Sequence, residues 1–257
     1  MTLTLISPEQ TIQTIVNFIK TTYQTQKIDK AVIAVSGGID SALSLTLLSQ
    51  ALSKNNIFTL FLPYGQPDTI DQKQICEFNQ IPKENIKIIN ITGIVDNFSQ
   101  KLGILEHDQL RLGNLMARVR MISLYDYAKA KQALVCGTEN KSEKYLGYFT
   151  RYGDEASDME PIQHLYKTQV LELANYLHLP QTIVNKPPTA GLWKNQTDEQ
   201  ELGFVYALAD QVMAQYIDQK KKLGEIEIEG ISQEMIKKVI DRIKSQAFKH
   251  RVPYRLE

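Results

Sequence analysis

"AVIAVSGGIDSALSLTLL", Ala31–Leu48, leaves an apolar run through two glycines, an aspartate and two serines, then returns at once to an apolar pattern. "KAVIAVS" is short, β-branched and not alternating, as expected of a strand covered on both faces. "SALSLTLLSQAL" brings apolar residues back at helical spacing. Gly37 and Gly38 supply backbone angles that a residue with a Cβ resists. Two readings of the turn stand side by side: a tight strand-to-helix connection, or a cradle whose exposed N–H groups and following helix N-terminus face a phosphate.

The same alternation runs outward from this stretch. Upstream, Ser7-Pro8-Glu9-Gln10 has a hydroxyl cap, a proline for the first helical position and Gln10 to complete a capping box, which predicts a helix to about Tyr23. Downstream, "IFTLFLPY" reads as strand, "TIDQKQICEFNQ" as helix and "IKIINIT" as strand. "LRLGNLMARVRMISLYDYAKAK" reads as a long helix and "ALVCGT" as strand. Non-alternating strands separated by helices predict an α/β fold, a parallel sheet with helices on both faces. From Glu139 to Ile162 the pattern stops, leaving loop with at most a short helix. "YKTQVLELANYL" resumes a helix, and "LPQTIVNKPPTAGLWKNQTDEQELG" is a second irregular stretch. Helices are expected from Asp198 and Ser232, the first capped by Thr197 with Gln200 or by Asp198 with Glu201. With no internal repeat or composition break, one domain over residues 1–257 with a helical C-terminal elaboration is the expected organisation.

Lys and Arg number 29, as do Asp and Glu, so no overall field points to nucleic acid and any phosphate site must be local. The start "MTLTLISPEQ" has no secretory pattern, and no apolar run reaches the ~18 residues of a membrane span, so a soluble cytoplasmic protein with neither nucleic-acid nor membrane partner is expected. Cys76 and Cys136 are far apart and no CxxC occurs, which argues against thiol-rich metal sites and for buried, inert thiols.

Asp40 decides between the readings of the turn. A carboxylate beside bare phosphate would be repelled, so its presence implies a bridging oxygen-loving cation such as magnesium, unless it merely caps the helix. Neither GxxxxGK[ST] nor GxGxxG is present. The strand-SGGxDS-helix arrangement resembles the pyrophosphate loop of the N-type ATP pyrophosphatases. "GNLMARVRM", "GTENKSEKYLGYFTRYGDEASDMEPI", "YKTQ", "KPPTAGLWKNQTDEQELG" and "FKHRVP" follow it in the order and spacing of the NAD synthetases.

That resemblance, which spans the chain from Ser36 onward, implies an adenine nucleotide alpha hydrolase-like, Rossmann-like fold and a two-step ligase. The carboxylate of nicotinic acid adenine dinucleotide (deamido-NAD) attacks the α-phosphorus of ATP. Pyrophosphate leaves, and ammonia then attacks the acyl adenylate to give NAD and AMP. The resemblance implies magnesium ligands Asp40 and Glu143, with ATP as co-substrate on Ser36, Gly37, Gly38, Ile39, Asp40, Ser41, Thr138, Lys167 and Thr189. It places the dinucleotide on Arg118, Arg151, Asp154, Asp158 and Lys249, and makes Asp40, Lys167 and Asp154 the catalytic set. Arg118 and Arg120 face different directions, so Arg118 is taken as substrate-facing and Arg120 as a salt-bridge partner. Tyr148, Phe149, Tyr152 and Trp193 are candidate stacking rings or packing anchors. Arg151 where several relatives have lysine, Glu155 in a usually glycine-rich loop, and Phe248 where histidine or tyrosine is frequent depart from the family pattern.

Only 35 residues precede Ser36, too few for the glutaminase domain of larger NAD synthetases, given that domains span ~50–250 residues. Free ammonia as NH3 is therefore the expected nucleophile, with activity rising with pH. Relatives form homodimers, which implies that the long helix crosses a two-fold axis; a buried intramolecular helix is the alternative. The rival readings are a tRNA-modifying thiolase, disfavoured by the lack of paired cysteines and of a basic extension, and an ATP-binding sensor without turnover. The sensor leaves Glu143 and the later loops without a purpose.

Overall fold

The computed structural model describes residues 7–66, 68–105, 107–193, 196–250, 253, 254 and 256. Four strands, β1 (Ala31–Ala34), β2 (Ile57–Phe61), β3 (Ile86–Ile88) and β4 (Leu134–Cys136), form a parallel sheet in the order β3-β2-β1-β4. A parallel bridge between Cys136 and Met159 extends it by one contact beyond β4. Around the sheet lie α1 (Pro8–Gln26), α2 (Ile39–Ala51), α3 (Ile70–Phe78), α4 (Thr92–Lys101) and α5 (Gln109–Lys131). Then come α6 (Lys141–Leu146), α7 (Lys167–Tyr176), α8 (Gln181–Val184), α9 (Asp198–Leu202), α10 (Tyr206–Met213) and α11 (Gln233–Gln246).

Strand residues alternate between faces, so a strand apolar throughout buries both. Ala31 and Ile33 join a core with α1, α2, α7 and α8, whereas Val32 joins another that includes Val95 of α4 and Met116, Val119 and Leu124 of α5. The expected parallel sheet with helices on both faces is what forms. A third cluster unites Leu146 of α6, Leu208 and Val212 of α10, and Ile236, Val239 and Ile240 of α11, giving the helical C-terminal region.

Helix ends show where local sequence decided the fold. Ser7 caps α1 by accepting from the Gln10 N–H at 3.3 Å, but Gln10 supplies only that N–H, and the helix runs on to Gln26. Helix α4 has no counterpart among the sequence expectations, and Val95 is its one fully buried residue. Neither capping box proposed for α9 forms. Thr197 makes no side-chain cap bond, Asp198 accepts from the Tyr206 hydroxyl and Glu201 from the Gln196 side chain, so these carboxylates hold neighbouring segments instead.

Chain order makes the site. After β1 the chain builds outward through β2 and β3, then returns to place β4 on β1's other side, so loops leaving adjacent strands diverge to opposite flanks. That reversal opens a crevice beyond the carboxyl ends of β1 and β4. The N-termini of α2 and α6 meet there.

Leu45, fully buried in the middle of α2, is the test of this packing. Leu45→Ala is expected to cost ~2–5 kcal/mol in denaturant unfolding, against less than ~0.5 kcal/mol for Ile70→Ala on the exposed start of α3.

Candidate active site

The Ser36–Ser41 loop closes on itself. Ser36 and Gly38 donate their N–H groups to the hydroxyls of Ser41 and Ser36, each at 3.2 Å, and the Ser41 hydroxyl donates to the Gly38 carbonyl at 3.0 Å. Gly37 has φ +85°, and a Cβ there would lie 3.2 Å from the Asp71 Cβ and the Gln72 side chain. Only glycine combines that backbone angle with so close an approach of α3. Gln72 also donates to the Ser36 carbonyl at 3.0 Å. Asp40 then sits in the first turn of α2, where the helix dipole favours a negative charge.

Three elements converge on Asp40. Its Oδ2 lies 2.5 Å from Lys167 Nζ, at the start of α7, and its Oδ1 accepts from Asn140 Nδ2 at 2.8 Å. Lys167 Nζ also donates to Glu143 Oε1 at 3.2 Å. Asn140 and Glu143 form a complete capping box on α6: the Asn140 side chain accepts from the Glu143 N–H at 3.0 Å while Glu143 Oε2 accepts from the Asn140 N–H. The one Asn-x-x-Glu pattern therefore starts the helix and aims both side chains at the crevice. Behind it, fully buried Asp210 accepts from the Ser142 hydroxyl at 2.6 Å and the Thr168 N–H at 2.9 Å, and the Ser142 oxygen accepts from the Lys167 N–H. These bonds lock α7's first turn to α6.

Electrostatics follow from that crowding. Burial by itself would discharge Lys167, but Asp40 and Glu143 outweigh it and hold the ammonium charged, well above the ordinary lysine range. Burial, with Asp40 adding to it, pushes the Glu143 carboxyl up to about 8 against the pull of Lys167. Buried Asp198, whose Oδ2 accepts from the Tyr206 hydroxyl at 3.2 Å, adds a third negative neighbour. Lys167 Nζ lies 5.4 Å from the centre of the Tyr206 ring. One ammonium is shared among three carboxyl groups, and the oxygens gathered around it are hard donors. Such a donor set fits a divalent oxygen-seeking cation and would repel bare triphosphate.

A second group surrounds the Gly147–Glu155 loop. Arg118 Nε donates to the Arg151 carbonyl at 3.3 Å, Asp154 Oδ1 accepts from the Thr150 N–H at 2.9 Å, and the Arg151 guanidinium lies 5.3 Å from the centre of the Phe248 ring. Lys249 Nζ donates to the carbonyls of Gly147 and Phe149 at 2.6 and 2.8 Å, so it clasps the loop rather than pointing free. Glu155 Oε1 accepts from the Tyr152 N–H, and thus stiffens the loop where glycine would not. Asp158 stands apart from this group: its Oδ2 accepts from the Val135 N–H at 2.8 Å, pinning the loop to β4. Arg120 donates to the Leu62 carbonyl at 3.1 Å instead of making an ion pair, a correction to the sequence expectation that comes from its burial against the end of β2. Phe149 is a packing anchor stacked on His250, whereas Tyr152 is exposed. Thr189 is exposed, its hydroxyl accepting from the Gly191 N–H, and among the described residues neither it nor Thr138 hydrogen-bonds to the Asp40 cluster. Of the closing "FKHRVP", Arg251 and Val252 lie outside the described residues.

Asn140, Ser142 and Asp210 escaped the sequence reading, in which Asp198 stands only as a helix cap. Two signals existed for them: the Asn-x-x-Glu box, and an aspartate inside the apolar run "YALADQVM".

The fold and these two clusters define a nucleotide-binding α/β protein with its site at the strand-order reversal. A profile of the family described as NAD synthase matches residues 11–253, and the chain belongs to that family. An NH(3)-dependent NAD(+) synthetase from Fusobacterium nucleatum is 39% identical over 241 residues, covering 93% of this chain and 92% of that protein. Among solved structures, an NMN synthetase from Francisella tularensis is 30% identical with a TM-score of 0.83, covering 98% of this chain and 100% of that one. An NH3-dependent NAD synthetase from Campylobacter jejuni, in complex with the nitrate ion, is 31% identical with a TM-score of 0.82 and the same coverage.

Removing the ammonium from the cluster should unbalance it. Lys167→Met leaves Asp40 and Glu143 with no positive partner, only the Asn140 donors, and is expected to lower unfolding stability by ~3 kcal/mol in magnesium-free buffer; an unchanged denaturation midpoint would contradict the pairing.

Proposed function

We propose that the chain is a ligase that activates the carboxylate of deamido-NAD with ATP and amidates it with free ammonia, the last step of NAD formation. The observation that carries the reading is the meeting of Asp40, Glu143 and Lys167 beside a hydroxyl- and glycine-lined loop at the strand-order reversal. A carboxylate is a poor acylating group because it would have to expel oxide, whereas an acyl adenylate expels AMP. Making it requires an electropositive, preorganised setting for the departing pyrophosphate. Lys167 supplies one preorganised positive charge, fixed at the start of α7 by the Ser142–Asp210 bonds, and a cation on Asp40 and Glu143 would supply the rest.

In this reading Ser36, Gly37, Gly38, Ile39 and Ser41 cradle the phosphates, and Thr138 and Thr189 make further ATP contacts. Arg118, Arg151, Asp154, Asp158 and Lys249 serve the dinucleotide, with Asp154 beside the reacting carboxylate. Support comes from the shared loop that Arg118, Arg151, Asp154 and Lys249 frame; Asp158 supports it by holding that loop to β4. Asp40 and Glu143 would hold magnesium, which when bound neutralises the phosphate oxygens as pyrophosphate departs. Free ammonia as nitrogen source is supported by the near-complete overlap with the Fusobacterium relative, named as NH(3)-dependent.

A homodimer is part of the proposal. Ile94, Phe98 and Leu102 on and just after α4, with Leu105, Leu110 and Ile122 on and before α5, are all at least 44% exposed. Apolar side chains so exposed on adjoining helices suit an isologous interface. A cytoplasmic setting agrees with two buried, unpaired cysteines.

Incubating the protein with ATP, magnesium, ammonium and deamido-NAD should yield AMP, pyrophosphate and NAD in equal amounts. Nicotinic acid mononucleotide in place of the dinucleotide tests the mononucleotide specificity named for the Francisella structure, and ATP binding without products would contradict the ligase. Asp40→Asn is expected to cut kcat ~100-fold or more while the protein remains folded by circular dichroism. In sedimentation the protein should run at twice the 29.3 kDa chain mass, and Phe98→Glu should halve it; a wild-type monomer would contradict the dimer.

A further inference from the structure

Behind Thr138, on the flank of β4, lies a pair of carboxylates that the reaction described above does not use. Glu139 has a side chain only 5% exposed. Its Oε2 accepts from Gln163 Nε2 at 2.6 Å, and Lys144 Nζ stands 3.8 Å away, but its Oε1 is buried with no hydrogen-bond partner. Glu160 is pressed against the backbone of Gly137, where any Cβ would lie within 2 Å of its Oε1. Its Oε1 accepts from the Ser157 hydroxyl at 2.7 Å and its Oε2 from the Glu139 N–H at 3.0 Å. The backbone between the two residues is thus folded so that Glu139's own amide anchors Glu160, and the charge of Glu139 acts on Glu160. Asp154 and Glu155 of the substrate loop add negative potential at Glu139.

A buried carboxylate oxygen without a donor is costly, and its persistence calls for a cause, of which a bound cation is one. Burial pushes Glu139 up to about 7 and Glu160 up to about 8, the response of carboxyls short of positive charge. A divalent ion is a poor match. Magnesium demands near-octahedral oxygen and keeps its waters, whereas here Gln163, Ser157 and a backbone N–H already take up carboxylate oxygens and Lys144 contributes a positive charge nearby. No group of three or more His, Cys, Asp or Glu suited to a metal ion occurs among the described residues. One further single charge is what the site lacks.

We propose that Glu139 and Glu160 form a binding site for a small monovalent cation, ammonium or its near-equal in size potassium, between β4 and the Gly147–Glu155 loop. Resting on the ammonia-dependent reading, its use would be to gather ammonium from dilute solution beside the loop that carries Asp154, the ammonium passing one proton to the Glu139 carboxylate and leaving as the NH3 that amidates. Lys144, Gln163 and the Ser157 hydroxyl set the depth of the site, and Gly137 keeps the space that Glu160 fills.

Two measurements test it independently. Crystals of the wild-type protein soaked in rubidium chloride should give an anomalous peak at Glu139 Oε1. No peak there, with ordered water or nothing in its place, would overturn the site whatever the enzyme's reaction proves to be. In steady-state kinetics Glu139→Gln should raise KM for ammonium at least ~10-fold while moving KM for ATP less than twofold, since the loss is confined to the cation. Potassium chloride distinguishes the two ions. Competitive inhibition against ammonium in the wild type, lost in Glu139→Gln, supports the substrate cation. Stimulation lost in the variant, with KM for ammonium unmoved, supports potassium. A wild type indifferent to potassium together with a variant of unchanged KM for ammonium would overturn both. Should Glu139→Gln fail to fold, Glu160→Gln and the rubidium soak carry the test.

Discussion

The Lys167 ammonium, shared between Asp40 and Glu143, is the contact on which the rest of the site depends. It joins the loop after β1 to the helix after β4, two elements 100 residues apart whose N-termini would otherwise simply face the same crevice. Placing a lysine there costs desolvation, and two carboxylates more than offset it. The result is a corner that is preorganised yet still short of positive charge, a condition suited to a metal-bound polyphosphate.

Everything around that corner restricts its freedom. Asn140 holds Asp40 from one side while capping α6, the same cap fixes Glu143, and Asp210 ties the first turns of α6 and α7 together from below. Preorganisation of this kind matters because a charge already oriented needs no rearrangement when the transition state forms. The Gly147–Glu155 loop is held separately, by its own Asp154 and Glu155 carboxylates, by Arg118 and by the clasp of Lys249.

Much of this was legible in the sequence, for reasons that differ by element. The central strands announce themselves because both faces are buried and every position is apolar, and α2 because its spacing returns directly after the glycines. Gly37 is legible as a conformational need, and Asp40 as a charge with no business near phosphate unless a cation intervenes. By contrast α4 goes unread although Ile94, Phe98 and Leu102 recur at helical spacing, because the strand reading of "IKIINIT" runs up to its first residue and only Val95 of the helix is buried. Asp198 and Glu201 look like a capping pair but serve other partners, Tyr206 and Gln196, which the spacing does not reveal. Asp210 and the orphaned oxygen of Glu139 are consequences of packing between distant segments.

The most direct test uses crystals grown with ATP and manganese, the latter for its anomalous signal. The account predicts a manganese peak bound by Asp40 and Glu143 with the triphosphate running along Ser36–Ser41 and Lys167 at its phosphates. A triphosphate lodged elsewhere, with Asp40 and Glu143 still closed on Lys167 and no metal between them, would contradict it.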